Sequence, residues 1–149
     1  MSAADDRELV TTRLLDAPPE RVFRAFSDAQ HLAAWWGPAG FSNTFHAFEL
    51  RPSATWRYTM HGPNGANYQN ESIFTDVAPE RIVIDHISPP RFTLTITLAP
   101  EGGKTRLTWR QRFPTAADCD RIRALAAPAN EQNLDRLAAR LVLMSRGSI

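Results

Sequence analysis

The chain has 149 residues, enough for one domain with a single sizeable core. Its 17 basic and 16 acidic side chains leave a formal net charge of +1, so no strong field draws it to nucleic acid or to a lipid surface. The one cysteine, Cys119, excludes an internal disulfide and fits a reducing cytoplasm. The opening MSAADDRE is acidic and polar where a signal peptide would be basic and then apolar, and no apolar run approaches a membrane span. Monomer and homodimer both remain open.

A first strand is expected over Leu9 to Leu15. Pro18 and Pro19 then suit the first turn of a helix, where their missing amide hydrogens would have been unpaired anyway, and Val22, Phe23 and Phe26 share one face. Ser27 and Gln30 have capping-box spacing, so a second helix is expected to begin at Asp28. Leu32, Trp35 and Trp36 form its apolar face, and Gly37-Pro38 stops it.

From Phe41 to about Phe113 the period changes to two. Trp56, Tyr58 and Met60 alternate with Arg57, Thr59 and His61, and Phe92, Leu94, Ile96 and Leu98 alternate with threonines. Ile82 and Ile84 lead to His86 on one face, while Leu107, Trp109, Gln111 and Phe113 lie against Arg106, Thr108, Arg110 and Arg112. Such alternation marks half-exposed antiparallel strands. Turn signals separate them at Gly62-Pro63-Asn64-Gly65, Ala78-Pro79-Glu80, Pro89-Pro90 and Glu101-Gly102-Gly103, giving seven strands in all. The segment Phe41 to Leu50 is ambiguous: Phe45 and Phe48 have opposite parity, so either His46 or Ala47 could face inward.

The C-terminal third returns to helix. Thr115 and Asp118 form a capping pair, Ile122, Leu125 and Ala126 follow, and after Pro128 the stripe resumes as Leu134, Leu137, Ala138, Leu141 and Met144. Pro128 is expected to kink or break this helix. These elements assemble as an α+β fold, a curved antiparallel sheet wrapped around the long C-terminal helix with the short pair closing one end.

That order of elements, with APPERVFRAF, AAWWGP, the RP-x-x-x-W-R run from Arg51 to Arg57, the PNG turn, APERIV and the closing EQNLDRLAARL, resembles the heat-shock chaperone ATPase-activator homologues. These belong to the START-like, or SRPBCC, superfamily with the helix-grip fold. The resemblance covers roughly Arg7 to Leu143 and implies a single domain over residues 1–149, with its core at about 7–145. The family often has an aspartate before its arginine-proline turn and two glycines after it, where this chain has Glu49 and Ser53-Ala54. A glycine often opens the fourth long strand, where Ser72 or a neighbour stands, and a Gly-Trp pair often begins the last helical stripe, where Glu131 to Leu134 has neither.

Chemical motifs are sparse. His31, His46, His61 and His86 lack the spacing of a zinc site, so no metal is expected. No nucleophile elbow occurs, Cys119 lies between Asp118 and Asp120, which disfavour a thiolate, and no phosphate-binding glycine loop appears. No cofactor is expected and no catalytic residue is assigned.

What remains is a hollow between sheet and helix. Trp36, Trp56, Tyr58, Met60, Phe74, Phe92 and Trp109, with Leu137 and Leu141 from the helix, are read either as core or as the wall of an apolar ligand cavity. Gln111 and His86 are its polar candidates, though either could sit at a strand end in water. Glu71 is a general base if it points inward and an ordinary surface carboxylate if not. Arg106, Arg110 and Arg112 read as a solvated outer face, or one that meets an acidic partner.

The expected function is binding of a small apolar or aromatic molecule, with no catalysis required. The resemblance adds two alternatives: a module that contacts a chaperone, as the ATPase activators do, and an enzyme like the polyketide cyclases and dehydratases among START-like relatives, which orient a substrate within a pocket.

Overall fold

A computed structural model describes residues 5–147. The order is β1 (Glu8–Leu15), α1 (Pro19–Ser27), α2 (Ala29–Trp35), β2 (Ser42–Ala47), β3 (Thr55–His61), β4 (Asn67–Ala78), β5 (Arg81–His86), β6 (Phe92–Glu101), β7 (Lys104–Arg112) and α3 (Ala116–Ser145). The strands form one open antiparallel sheet in the order β1-β7-β6-β5-β4-β3-β2, so β1 and β2 are its edges. This is the helix-grip arrangement expected from the alternation and the terminal stripe.

Asp28 joins the two short helices. It ends α1 in an extended conformation and its side chain accepts from the Gln30 amide at 2.9 Å, so Asp28, not Ser27, caps α2. The Asp28 carboxylate reaches the second helical amide directly, and the expected cap shifts by one residue. At the other end Trp36 is already extended, at φ −65° and ψ 136°. The tryptophan pair therefore parts: Trp35 donates from Nε1 to the Ala25 carbonyl at 2.9 Å and meets Phe26 edge-on, whereas Trp36 turns towards the sheet.

The parity conflict in β2 is resolved by a bulge. Phe45 pairs with Tyr58 and Ala47 with Arg57, leaving one extra residue between them. Phe45 and Phe48 thus both reach the inner aromatic layer around Trp56, with ring centroids at 5.5 and 5.9 Å from it. Neither His46 nor Ala47 joins that layer: His46 bonds Thr59 Oγ1 at 2.7 Å, and Ala47 pairs with the exposed Arg57.

Of the kink or break expected at Pro128, the break does not occur: helix α3 runs on through it. An interior proline costs about 3 kcal/mol, which packing on both sides offsets. Before it, Cys119 and Ala126 pack with Leu9 and Phe113, and Ile122 lies against them. After it, Leu134, Leu137, Leu141 and Met144 enter the main core. Leu125, expected on the buried stripe, is 79% exposed. At the start, Thr115 Oγ1 accepts from the Asp118 amide at 3.0 Å, as its spacing predicted.

The helix is strapped to the edge strand β1 by Arg13, which pairs with Asp135 at 2.6 Å and Glu131 at 2.9 Å. The arginine row on the outer face is neutralised within the chain: Arg106 meets Glu101, Arg110 meets Glu8, and Arg112 meets Asp5 and Glu8.

Candidate functional site

Trp56 is the hub of the aromatic layer. It stacks on Tyr58 at 4.3 Å and 27° and on Phe74 at 5.7 Å and 10°, and Trp36 meets it edge-on at 5.0 Å. Such offset and edge contacts add to the burial of large rings. Trp36 also lies 5.6 Å from Trp109, so one indole bridges β3 and β7.

Beyond this layer lies a cavity of about 200 Å³. Trp36, Gly37 and Pro38 close it from the turn after α2; Tyr58 and Met60 come from β3 and Asn70 from β4. His86, Pro90, Phe92 and Leu94 form a second wall, Trp109 and Gln111 a third, and Ala129, Asn130 and Asn133 of α3 face them. Typical ligand pockets are about 300–1,000 Å³, while a closed apolar cavity of about 150 Å³ accommodates benzene. The scale is that of one ring and a small substituent.

Seven residues singled out in the sequence meet here: Trp36, Tyr58, Met60, His86, Phe92, Trp109 and Gln111. The other four do not line the space. Trp56 and Phe74 are buried in the layer behind it, and Leu137 and Leu141 are packed into the core farther along α3. The hollow expected between sheet and helix therefore does not extend to Leu137 and Leu141, which are packed into the core. Glu71 is exposed and shares an outer-face cleft with His46, Arg57, Gln69 and Ser88, so it is not an inward base.

Three carboxamides escaped the sequence reading: Asn70, Asn130 and Asn133. Asn130 and Asn133 extend the Leu137, Leu141, Met144 stripe backwards at helical spacing, a signal that would have placed them on the inner face. Asn130 donates to Gln111 Oε1 at 3.0 Å and Asn133 donates to the Trp35 carbonyl at 3.2 Å. Asn70 donates to the Tyr68 carbonyl at 3.0 Å, which turns its oxygen towards His86 Nε2 at 2.8 Å.

His86 is held on both sides, with Nδ1 2.9 Å from the Pro90 carbonyl, and it stacks on Phe92 at 4.4 Å and 7°. Burial pushes its pKa down, against the opposing hydrogen bonds that the ring donates to the Pro90 and Ser88 backbone and the charge of Asp85. Tyr58 accepts from Trp36 Nε1 at 3.3 Å, and its burial raises the phenol far above its ordinary value. The indole nitrogens of Trp56 and Trp109 and the hydroxyl of Ser72 are buried without partners among the described residues.

The remaining histidines lie apart: His31 in α2, with His46 and His61 on the outer face of the sheet. Among the described residues no cluster has the makings of a metal site. Cys119 is fully buried, and burial more than its acidic neighbours raises its thiol pKa. Among the described residues no helix is long and apolar enough to cross a membrane.

No functionally curated protein matches the chain. Solved structures do. A crystal structure of a protein from Nitrosomonas europaea has a TM-score of 0.86 at 21% identity, covering 96% of this chain and 99% of that one. A protein from Chromobacterium violaceum has a TM-score of 0.77 at 29% identity over 89% and 95% of the two chains. The AHSA1 protein from Silicibacter pomeroyi has a TM-score of 0.76 at 21% identity over 92% and 99%. At the lower identities the likeness carries the fold alone. The family model described as Activator of Hsp90 ATPase homolog 1-like protein matches residues 16–142, and the chain belongs to that family.

Proposed function

We propose that this protein binds a small apolar or aromatic molecule in the cavity between the sheet and the middle of α3, without catalysing its conversion. The observation that supports this is the approximately 200 Å³ space walled by Trp36, Tyr58, Met60, Phe92 and Trp109. A native core of this size leaves few voids larger than a water. The cavity's titratable groups are His86 and Tyr58, and the burial of each favours its neutral form. Both ring nitrogens of His86 are already engaged, by the Pro90 carbonyl and by Asn70, so such a wall suits retention of a neutral ligand better than acid-base chemistry. The single buried cysteine supports a cytoplasmic setting.

Native mass spectrometry of the protein purified from its own host tests the reading. A retained small molecule is expected, and its loss in a Tyr58→Trp variant that fills the space would place it there. Protein that carries nothing and responds to no aromatic probe would overturn it. Contact with a chaperone is supported by the family description alone.

A further inference from the structure

The polar groups of the cavity define what its ligand must carry, given that the cavity is a ligand site. Gln111, beside Trp109 on β7, and Asn130 and Asn133 on the facing helix all line the space, with Gln111 and Asn130 hydrogen-bonded to each other. Each carboxamide offers an acceptor oxygen and two donor hydrogens. Asn130 spends one hydrogen on Gln111 Oε1, and Asn133 spends one on the Trp35 carbonyl. Among the described residues, the Oδ1 atoms of Asn130 and Asn133 and the Nε2 of Gln111 make no hydrogen bond, so acceptors and donors both remain open. Gln111 is 7% exposed and Asn133 6%, so these groups are withdrawn from bulk water.

Charge narrows the choice further. Among the described residues no arginine, lysine, aspartate or glutamate lines the space. A carboxylate or an ammonium entering it would lose its hydration without a counter-ion, and burying an unpaired charge is costly. A ligand without polar atoms would bury the carboxamides unsatisfied.

We propose that the cavity selects an uncharged single-ring molecule bearing one group that both donates and accepts hydrogen bonds, such as a phenolic hydroxyl or a primary carboxamide. The ring lies against Trp36 and Trp109, and the polar group bonds to Gln111, Asn130 and Asn133.

The test is an NMR titration of the isotope-labelled protein, following the indole N–H signals of Trp36 and Trp109, with phenol, benzamide, toluene and benzoate. Phenol and benzamide are expected to bind at least roughly tenfold tighter than toluene or benzoate, because a site built to hydrogen-bond rejects analogues that lack the group. In Asn130→Leu the preference for phenol over toluene should shrink to near unity while toluene still binds. Equal binding of toluene and phenol, or tightest binding of benzoate, overturns the proposal and leaves the ligand-binding function standing. Failure of all four to move the cavity signals overturns both.

Discussion

The guanidinium of Arg136 on α3 donates to the backbone carbonyl of Trp36 at 3.1 Å, and its remaining hydrogens collect the carbonyls of Gly37, Pro38, Ala34 and Phe41. One side chain thus satisfies the frayed end of α2 and the turn that closes the cavity. These carbonyls have no intrahelical partner, and a cation at a helix C-terminus also suits the dipole.

Replacing Arg136 should therefore loosen the turn. Arg136→Ala is expected to cost about 2–3 kcal/mol, seen as a melting temperature lower by roughly 5–10 °C. Lysine cannot reproduce the planar fork, so Arg136→Lys should recover less than half of the loss. A melt unchanged in both variants would show that the carbonyls are as well served by solvent.

Ser53 stands in the left-handed region, at φ 71°, in the turn where the family often has glycine. A side chain there costs roughly 1–2 kcal/mol. Ser53→Gly relieves that strain but frees the unfolded chain, so a net gain of about 0.5–1 kcal/mol is expected. Chemical denaturation measures it, and a loss of stability would mean that the serine hydroxyl secures the turn.

Ser72 should be replaceable with profit. Its hydroxyl is fully buried and has no partner, so Ser72→Ala removes an unsatisfied group and is expected to stabilise by about 1 kcal/mol. Destabilisation in a urea titration would reveal a bound partner for the hydroxyl.

Gly37 has φ +97°, and a Cβ there would lie 2.7 Å from Met60 Cε. Gly37→Ala forces both backbone strain and a shift of the Met60 tip, which lines the cavity. A loss of roughly 1–2 kcal/mol is expected, together with weaker binding of any cavity probe. Unaltered probe affinity would show that Met60 moves away from the space.

Two histidines should set the acid limb of stability. Burial lowers the pKa of His31, with Asp28 opposing and Arg140 and Arg24 adding to the shift, and burial also lowers that of His86. Both pKa values lie below the unfolded value, so the folded state binds fewer protons. Their contribution is complete above about pH 6.5 and is lost as pH falls through 6.5 towards the folded values. The urea midpoint should fall between pH 7.5 and pH 5, and the slope should flatten in His31→Gln and His86→Gln. A wild-type midpoint that is level or rises on acidification would contradict the assignment.

The strands, the short helices and the terminal helix were legible because each is written in a local period: Trp56-Tyr58-Met60 and Leu94-Ile96-Leu98 for the sheet, Leu134-Leu137-Leu141 for the helix. The facing of Phe45 in β2 and of Phe48 just after it was not, because a bulge changes parity without leaving a residue signature of its own. Continuity at Pro128 was not legible for a related reason, since the residues there allow a kink as well as a break. Local propensity counts the missing hydrogen bond, whereas clusters on either side of the proline keep the helix going.

The amino-acid order alone determined the inward faces, and with them most of the cavity's aromatic wall. Where empty space remains was decided by the tertiary structure, since Leu137 and Leu141 fill their part of the interface and Asn130 and Asn133 do not. Volume and hydrogen-bond satisfaction are sums over segments far apart in the chain, from Trp36 to Asn133, and no local pattern encodes such sums.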